Sequence, residues 1–356
     1  MFSSQGLAVL VVIFAVAAAG VWVAGVWLTK STDVIAERLG LGEALGGLIL
    51  LAFATNLPEI AITISAAAAH NLGIAIGNIL GGIAIQTVVL VVLDVAVRKN
   101  KTPLTHHGAD LGLVLEGTLV IAVLIVALMG SRLPHTLALG RTGPGEVLIF
   151  ILWVAGVWLI GKARTDLPWG AQGDAPGGQQ QDRGMRSEHT EKMATSRGIK
   201  TGRAALIFGI AAVVTLAGGV LLEQSGEGIA KHIGLDGVIF GATILAAATA
   251  LPELSTGIQS VRIGDFKLAI SDIFGGNAFL PVLFLPAALI AGTAVLPQID
   301  DIDLYLTGLG ILLTAVYIYG LIFRPKRRVA GIGVDSAVVV VLYVAGLVGL
   351  TVLATK

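Results

Sequence analysis

The chain carries one unusual stretch twice, Ala54-Thr55-Asn56-Leu57-Pro58-Glu59 and Ala248-Thr249-Ala250-Leu251-Pro252-Glu253. Each copy sets a carboxylate inside a long apolar run, directly after a proline and four residues after a threonine. Proline has no backbone donor and its ring clashes with the preceding turn, so a helix through either stretch must break just ahead of the acid. A carboxylate at the centre of a bilayer costs about 2.5–3.5 kcal/mol on the insertion scale. A break at that depth is tolerated only where the freed carbonyls face protein or a wet cavity. The pair restricts the chain to folds in which two broken helices close around a polar interior. Breaks in corresponding halves point to a transporter's binding site.

Composition supplies the membrane. Of 356 residues, 55% are hydrophobic and 13% charged, with a mean hydropathy of +0.90, against about 25% charged in soluble chains. The zero net charge offers nothing to a nucleic acid. The absence of cysteine excludes disulfides, thiolate metal sites and cysteine nucleophiles. Residues 6–28 lack a basic leader and run too long for a signal peptide, so they read as the first membrane helix.

At about 20 apolar residues per span, ten helices are expected near 6–28, 41–69, 72–97, 109–130, 145–162, 204–222, 236–262, 266–291, 302–323 and 333–353. Between the fifth and sixth lies a polar stretch that includes Gly177-Gly178-Gln179-Gln180-Gln181. It has too few apolar residues to build a core and reads as a disordered linker. The expected chain is an all-α integral membrane protein: a first five-helix repeat in 1–162, a cytoplasmic linker in 163–203 and a second repeat in 204–356.

Set against each other without gaps, the halves align Gly40-Leu41 with Gly234-Leu235, Gly47 with Gly241, Ala75-Ile76 with Ala269-Ile270 and Gly81-Gly82 with Gly275-Gly276. Five helices per half turn the second copy upside down, giving an inverted repeat. One set of loops carries Lys30, Arg38, Arg98, Lys99, Lys101, the basic linker, Arg262, Lys267, Arg324, Lys326, Arg327 and Arg328, while the other carries His70, Arg132, Arg141, Glu223, Glu227, Lys231 and the acidic cluster Asp300, Asp301 and Asp303. Positive charge stays in the cytoplasm, so both termini are expected outside the cell membrane.

Glu59, Glu253, Thr55 and Thr249 lead the candidate site. Two carboxylates with threonine hydroxyls and unwound carbonyls make an all-oxygen site of the kind a hard cation such as calcium takes. The plainer reading is that each acid caps a freed amide, and the duplication weighs against it. Asn78 and Asp272 are equivalent under the same offset, and Asn277 follows Asp272 on one helix. Gly73, Gly77 and Gly81, with Ser271 and Gly275, suit close helix packing. Asp94, Glu116, Glu146 and Glu223 lie near expected helix ends and read as reaching headgroup water. The six histidines show no ligand spacing.

The paired Thr-x-Leu-Pro-Glu blocks, each followed by a Gly-Asn-x-x-Gly-like helix, resemble the two alpha-repeats of the sodium/calcium exchanger family of cation/calcium antiporters. The resemblance covers 40–93 and 234–287. It implies calcium ligation by Glu59, Glu253, Thr55 and Thr249, and sodium ligation by the backbone carbonyls of Ala52 and Ala246. The family's serine after each motif threonine is Asn56 and Ala250 here. Its later serines are Gly82 and Gly276, and its following polar or acidic positions are Gln86 and Leu280. The divalent ligands are therefore complete, whereas sodium would depend on replacement oxygens from Asn56, Gln86 and Asn277.

The expected activity is not enzymatic. It is an antiport of calcium, or a similar divalent, against sodium by alternating access, with no cofactor besides the transported ions. Proton coupling is the alternative, because a proton needs only an acid whose surroundings disfavour its charge, as burial does. An intramembrane hydrolase lacks the surrounding catalytic groups, and a scaffold or sensor would use the acids only to pair helices.

Overall fold

The structure, a computed structural model, describes residues 5–39, 52–97, 102–134, 136–137, 139–163, 201–234 and 240–354. Eight helices among the described residues are long and apolar enough to cross a bilayer. In the first half these are α1 (Leu7–Leu39), α3 (Leu72–Ala96), α5 (Leu111–Gly130) and α6 (Pro144–Ala163). The remaining span of that half is α2 (Leu57–Ala68), preceded by a helical turn at 52–55. A short α4 (Leu104–Gly108) caps the end of α3.

The second half repeats this order. α7 (Thr201–Ile233) is followed by a π turn (Gly241–Leu245), α8 (Ala246–Thr249) and α9 (Leu251–Ile263). Then come α10 (Phe266–Phe279) and α11 (Phe284–Ala291), α12 (Asp301–Phe323), a hairpin of β1 (Arg328–Val329) and β2 (Ile332–Gly333), and α13 (Val334–Ala354). A 3₁₀ turn at Leu280–Leu283 divides α10 from α11. Pro281 and Pro286 remove two amides there, so the ladder tightens locally.

Inversion is visible in the contacts. α1 and α7 pair along their length, with Leu10 against Gly228 and Val21 against Gly218, so these equivalent helices run antiparallel. Asn277 Nδ2 reaches Ile83 O at 3.4 Å across 194 positions, the same offset that relates Glu59 to Glu253. That contact lies on the pseudo-two-fold axis between the halves.

Burial sorts the helices. α3 and α10 are mostly enclosed, whereas α1, α6, α7 and α13 expose most of their length to lipid. One large apolar core joins α3, α5, α10, α12 and α13. Two smaller clusters join α1 and α7 to the broken helices: Ala17, Val21, Leu222 and Phe240 in one, Ala24, Leu28, Leu57 and Ala211 in the other.

Basic residues gather at one end. Arg328 lies 3.5 Å from Asp94, Arg324 donates to His106 O at 3.1 Å, and Lys267 pairs with Asp110 at 2.9 Å. Asp94 also accepts from Leu104 N at 2.8 Å and Gly333 N at 2.5 Å, tying α3, α4 and the hairpin together. At the opposite end, Asp300 and Asp303 form a capping box on α12, so the acidic turn is a helix start.

Three expectations change. The sixth helix runs to Ile233 rather than 222, because its polar end finds partners: Ser65 donates to Glu223 at 3.1 Å, and Asn71 and Lys231 donate to Glu227 at 3.1 and 2.8 Å. The first helix continues to Leu39 rather than 28. Asp94, Glu116, Glu146 and Glu223 are buried instead of reaching water. Each is bonded internally; Glu116 accepts from Ser271 at 2.7 Å, and Glu146 accepts from Gly143, Val295 and Leu296 amides. The start of the expected 41–69 helix and residues 164–200 of the expected linker lie outside the described residues.

Candidate ion-binding site

Both motif prolines fall at the second position of their helices, Pro58 in α2 and Pro252 in α9. The helical path bends at Asn56 (φ −85°, ψ 11°) and Ala250 (φ −74°, ψ 0°). With no proline amide, the carbonyls of Ala54 and Ala248 lose the donor that a continuous helix would give them. Glu59 and Glu253 sit in the first turn beyond each break, where the helix N-terminus favours negative charge.

The acids are fully buried, as are Thr249 and Asn56 and, to within 1%, Thr55. The pairing crosses the repeats: Thr249 lies alongside the Glu59 carboxyl, and Thr55 alongside that of Glu253. Glu253 has Glu59 and Asp272 as its neighbouring acids. Gln86 Nε2 donates to Glu59 Oε1 at 3.3 Å, and Thr256 donates to Asp272 Oδ2 at 2.8 Å. Five buried oxygens here have no hydrogen-bond partner among the described residues: Glu59 Oε2, both Glu253 oxygens, Asn56 Oδ1 and Gln86 Oε1. Each such oxygen costs about 1–3 kcal/mol, and buried oxygens left in a group suit a cation's shell.

The two flanks of the acid pair differ. A β-carbon added at Gly276 would stand 3.0 Å from Asn56 Nδ2 and 3.7 Å from Gln86 Oε1, so the Asn56 amide fills the place where a side chain at 276 would go. On the mirror flank, a β-carbon at Gly82 would meet only Leu280 Cδ1, at 3.7 Å, with Ala250 in the position equivalent to Asn56. One flank is polar and its twin apolar.

The backbone carbonyls of Ala52 and Ala246 are already engaged. Ala52 O accepts from Asn56 Nδ2 at 2.6 Å, Asn56 N at 3.2 Å and Thr55 Oγ1 at 3.3 Å; Ala246 O accepts from Ala250 N at 3.0 Å and Thr249 Oγ1 at 3.2 Å. Asn277 turns to α3, donating to Thr87 Oγ1 at 3.1 Å. Asn78 is fully buried on α3 near Gly241 of the π turn, about 12 Å along the helix from Gln86. Thr256 escaped the sequence reading because its equivalent position holds Ile62, so the repeat raised no flag there.

Two broken helices closing on paired buried carboxylates inside inverted repeats define a secondary ion transporter. The chain belongs to the sodium/calcium exchanger protein family, whose profile matches residues 9–160 and 203–352. It is 25% identical over 309 residues to the inner membrane protein YrbG of Escherichia coli (strain K12), covering 86% of each chain. It is 24% identical over 270 residues to the sodium/calcium exchanger MaX1 of Methanosarcina acetivorans, covering 70% of this chain and 74% of that one. The fold matches a solved H+/Ca2+ exchanger, CAX (TM-score 0.60, 12% identity, 96% of this chain and 88% of that one). It matches the sodium-calcium exchanger NCX_Mj equally well (TM-score 0.60, 17% identity, 96% and 99%). The chain is thus a multi-pass membrane transporter of the cation/calcium exchanger class, and not an enzyme.

Proposed function

We propose that the protein exchanges calcium, or a similar divalent cation, for sodium by alternating access, with Glu59, Glu253, Thr55 and Thr249 holding the divalent ion. The observation that carries this is the crossed arrangement, in which each repeat's threonine lies beside the other repeat's fully buried acid. A calcium ion drawing oxygens at about 2.3–2.6 Å from both halves would neutralise both carboxylates at once. An empty site leaves two like charges buried together, which disfavours crossing without cargo and enforces exchange. On the polar flank, Asn56 Oδ1 and Gln86 Oε1 with Glu59 Oε2 supply neutral and charged oxygens for sodium.

Proton coupling is the second reading, supported by the engaged carbonyls of Ala52 and Ala246 and by the apolar flank at Ala250, Gly82 and Leu280. Calcium uptake into vesicles holding the purified protein separates the two. An outward sodium gradient at clamped pH should drive uptake. Asn56→Ala should weaken that drive about tenfold, the effect of about 1.4 kcal/mol of lost ligation, while calcium binding is retained. Uptake that answers only to a pH gradient replaces sodium with the proton, and no uptake under either gradient removes the antiport reading.

The same proposal takes 1–162 and 204–356 as the two repeats and 163–203 as a linker, with the end bearing Arg324, Lys326, Arg327 and Arg328 in the cytoplasm. Because α13 starts at that end and α1 begins beside Gly228 at the other, this reading puts both termini outside. In this cysteine-free chain, an impermeant thiol reagent applied to cells should label Asp301→Cys and spare Gln180→Cys. The reverse pattern would invert the topology.

A further inference from the structure

Each repeat carries one more buried polar side chain close to the acid pair, and the two stand at twin positions. On α10, Asp272 precedes Gly276 by four residues; on α3, Asn78 precedes Gly82 by the same interval. At 1.5 Å per residue, each lies about 6 Å along its helix from the level of the acids. Because the repeats are inverted, the two steps lead in opposite directions. α10 starts at the basic end, beside the Lys267–Asp110 pair, so Asp272 stands at a depth between that end and Glu253, its neighbour. α3 starts at the opposite end, where Asn71 meets Glu227, so Asn78 stands at a depth between that end and Glu59.

The two positions are unequally equipped. Asp272 adds a third acid beside Glu253 and accepts from Thr256 Oγ1 at 2.8 Å. Asn78 is neutral and fully buried, and neither its Oδ1 nor its Nδ2 has a hydrogen-bond partner among the described residues. Thr63, one turn beyond Glu59 on the same face of α2, is also fully buried with its Oγ1 unpartnered. Unmet buried groups cost about 1–3 kcal/mol each, and a passing ion or its water would meet them.

We propose that Asp272 and Asn78 are the last stops of a cation before the paired carboxylates, one on each route, and that the charge at Asp272 tightens capture from the basic end. The proposal rests on the antiport reading and concerns the sidedness of affinity, whichever ion is the coupling one.

A purely structural Asp272 would serve to hold α9 to α10 through its bond with Thr256. A neutral acceptor would do that without a third acid, and the twin position does hold asparagine. The carboxylate instead adds like-charge repulsion against Glu253 that an arriving cation relieves. A fixed charge in low-dielectric surroundings raises the local cation concentration and the on-rate about tenfold or more.

The test measures the half-saturating calcium concentration for exchange from each face of vesicles holding the oriented, purified protein. Asp272→Asn installs the residue of the twin position, a shape this fold already accommodates. It should raise the half-saturating concentration at the basic-end face about tenfold and leave the opposite face unchanged. Asp272→Glu, which keeps the charge, should stay near the native value. Asn78→Asp should lower the half-saturating concentration at the opposite face by a similar factor; where it does not fold, the Asp272 pair decides. Native values at both faces in either charge variant overturn the proposal, because only the Thr256 bond is then left for Asp272. An equal shift at both faces in Asp272→Asn also overturns it, by making Asp272 a ligand of the central site. Native protein that moves no calcium under either gradient overturns the antiport reading itself, before any variant is compared.

Discussion

Replacing either Glu59 or Glu253 with glutamine should lower calcium exchange by at least about 100-fold, equivalent to about 2.7 kcal/mol of lost ion stabilisation. Glutamine keeps the volume and most of the hydrogen-bonding capacity while removing one buried charge. A pair of buried acids without a counter-charge is costly to the fold, so the melting temperature of the ion-free protein should hold or rise. Loss of exchange with a preserved melt distinguishes a ligand from a structural cap, because a cap would show its loss in stability. Calcium protection against unfolding, which scales with the ratio of ligand to dissociation constant, should vanish in both variants. Since each threonine lies beside the opposite repeat's acid, Thr55→Ala and Thr249→Ala should weaken binding in the same direction and by less. A variant that still exchanges calcium at the native rate removes that glutamate from the site.

The second large effect lies at the basic end, well away from the ions. Asp94→Ala should destabilise the protein by about 3–5 kcal/mol, the cost of leaving a partner charge unpaired in a buried setting. Asp94 accepts from two backbone amides, Leu104 N and Gly333 N, and meets Arg328, whose side chain is itself mostly buried. Those donors come from α4, the hairpin strand β2 and the neighbouring strand β1, so one carboxylate holds three segments against the end of α3. A detergent thermal melt would show the loss. Asp94→Asn, which keeps one acceptor, should fall between the variant and the native protein. Protein that survives either change should exchange calcium normally, since none of these groups touches the carboxylate pair.

The breaks were legible because proline's missing amide is a property of one residue and needs no partner. The inverted repeat was legible because one offset brings Pro58, Glu59 and Gly81 onto Pro252, Glu253 and Gly275, and the family profile covers both halves. What could not be read was which polar groups satisfy one another across the fold. Glu146 and Asp94 stand near helix ends and look able to reach water, yet their partners include amides far along the chain, at Val295 and Leu296 for Glu146 and at Gly333 for Asp94. Glu223 and Glu227 resembled a loop, because Ser65 and Asn71 lie over 150 residues earlier. Asn277 spends its Nδ2 on Thr87 and Ile83, while its Oδ1, the atom a cation would use, has no partner among the described residues.

The unequal flanks of the acid pair also bear on the resting state. In a perfectly duplicated inverted repeat, the form open to one side and the form open to the other are the same object seen from opposite faces, and their energies are equal. Asn56 against Ala250, and Gln86 against Leu280, break that equivalence at the centre of the molecule. The two forms then differ in how many polar groups they must desolvate, and the transporter acquires a preferred side before any gradient acts on it. On the alternating-access reading, duplication alone leaves the two forms equal, and divergence at a few positions around the ions decides where the empty protein rests, while the gradients decide which way the ions flow.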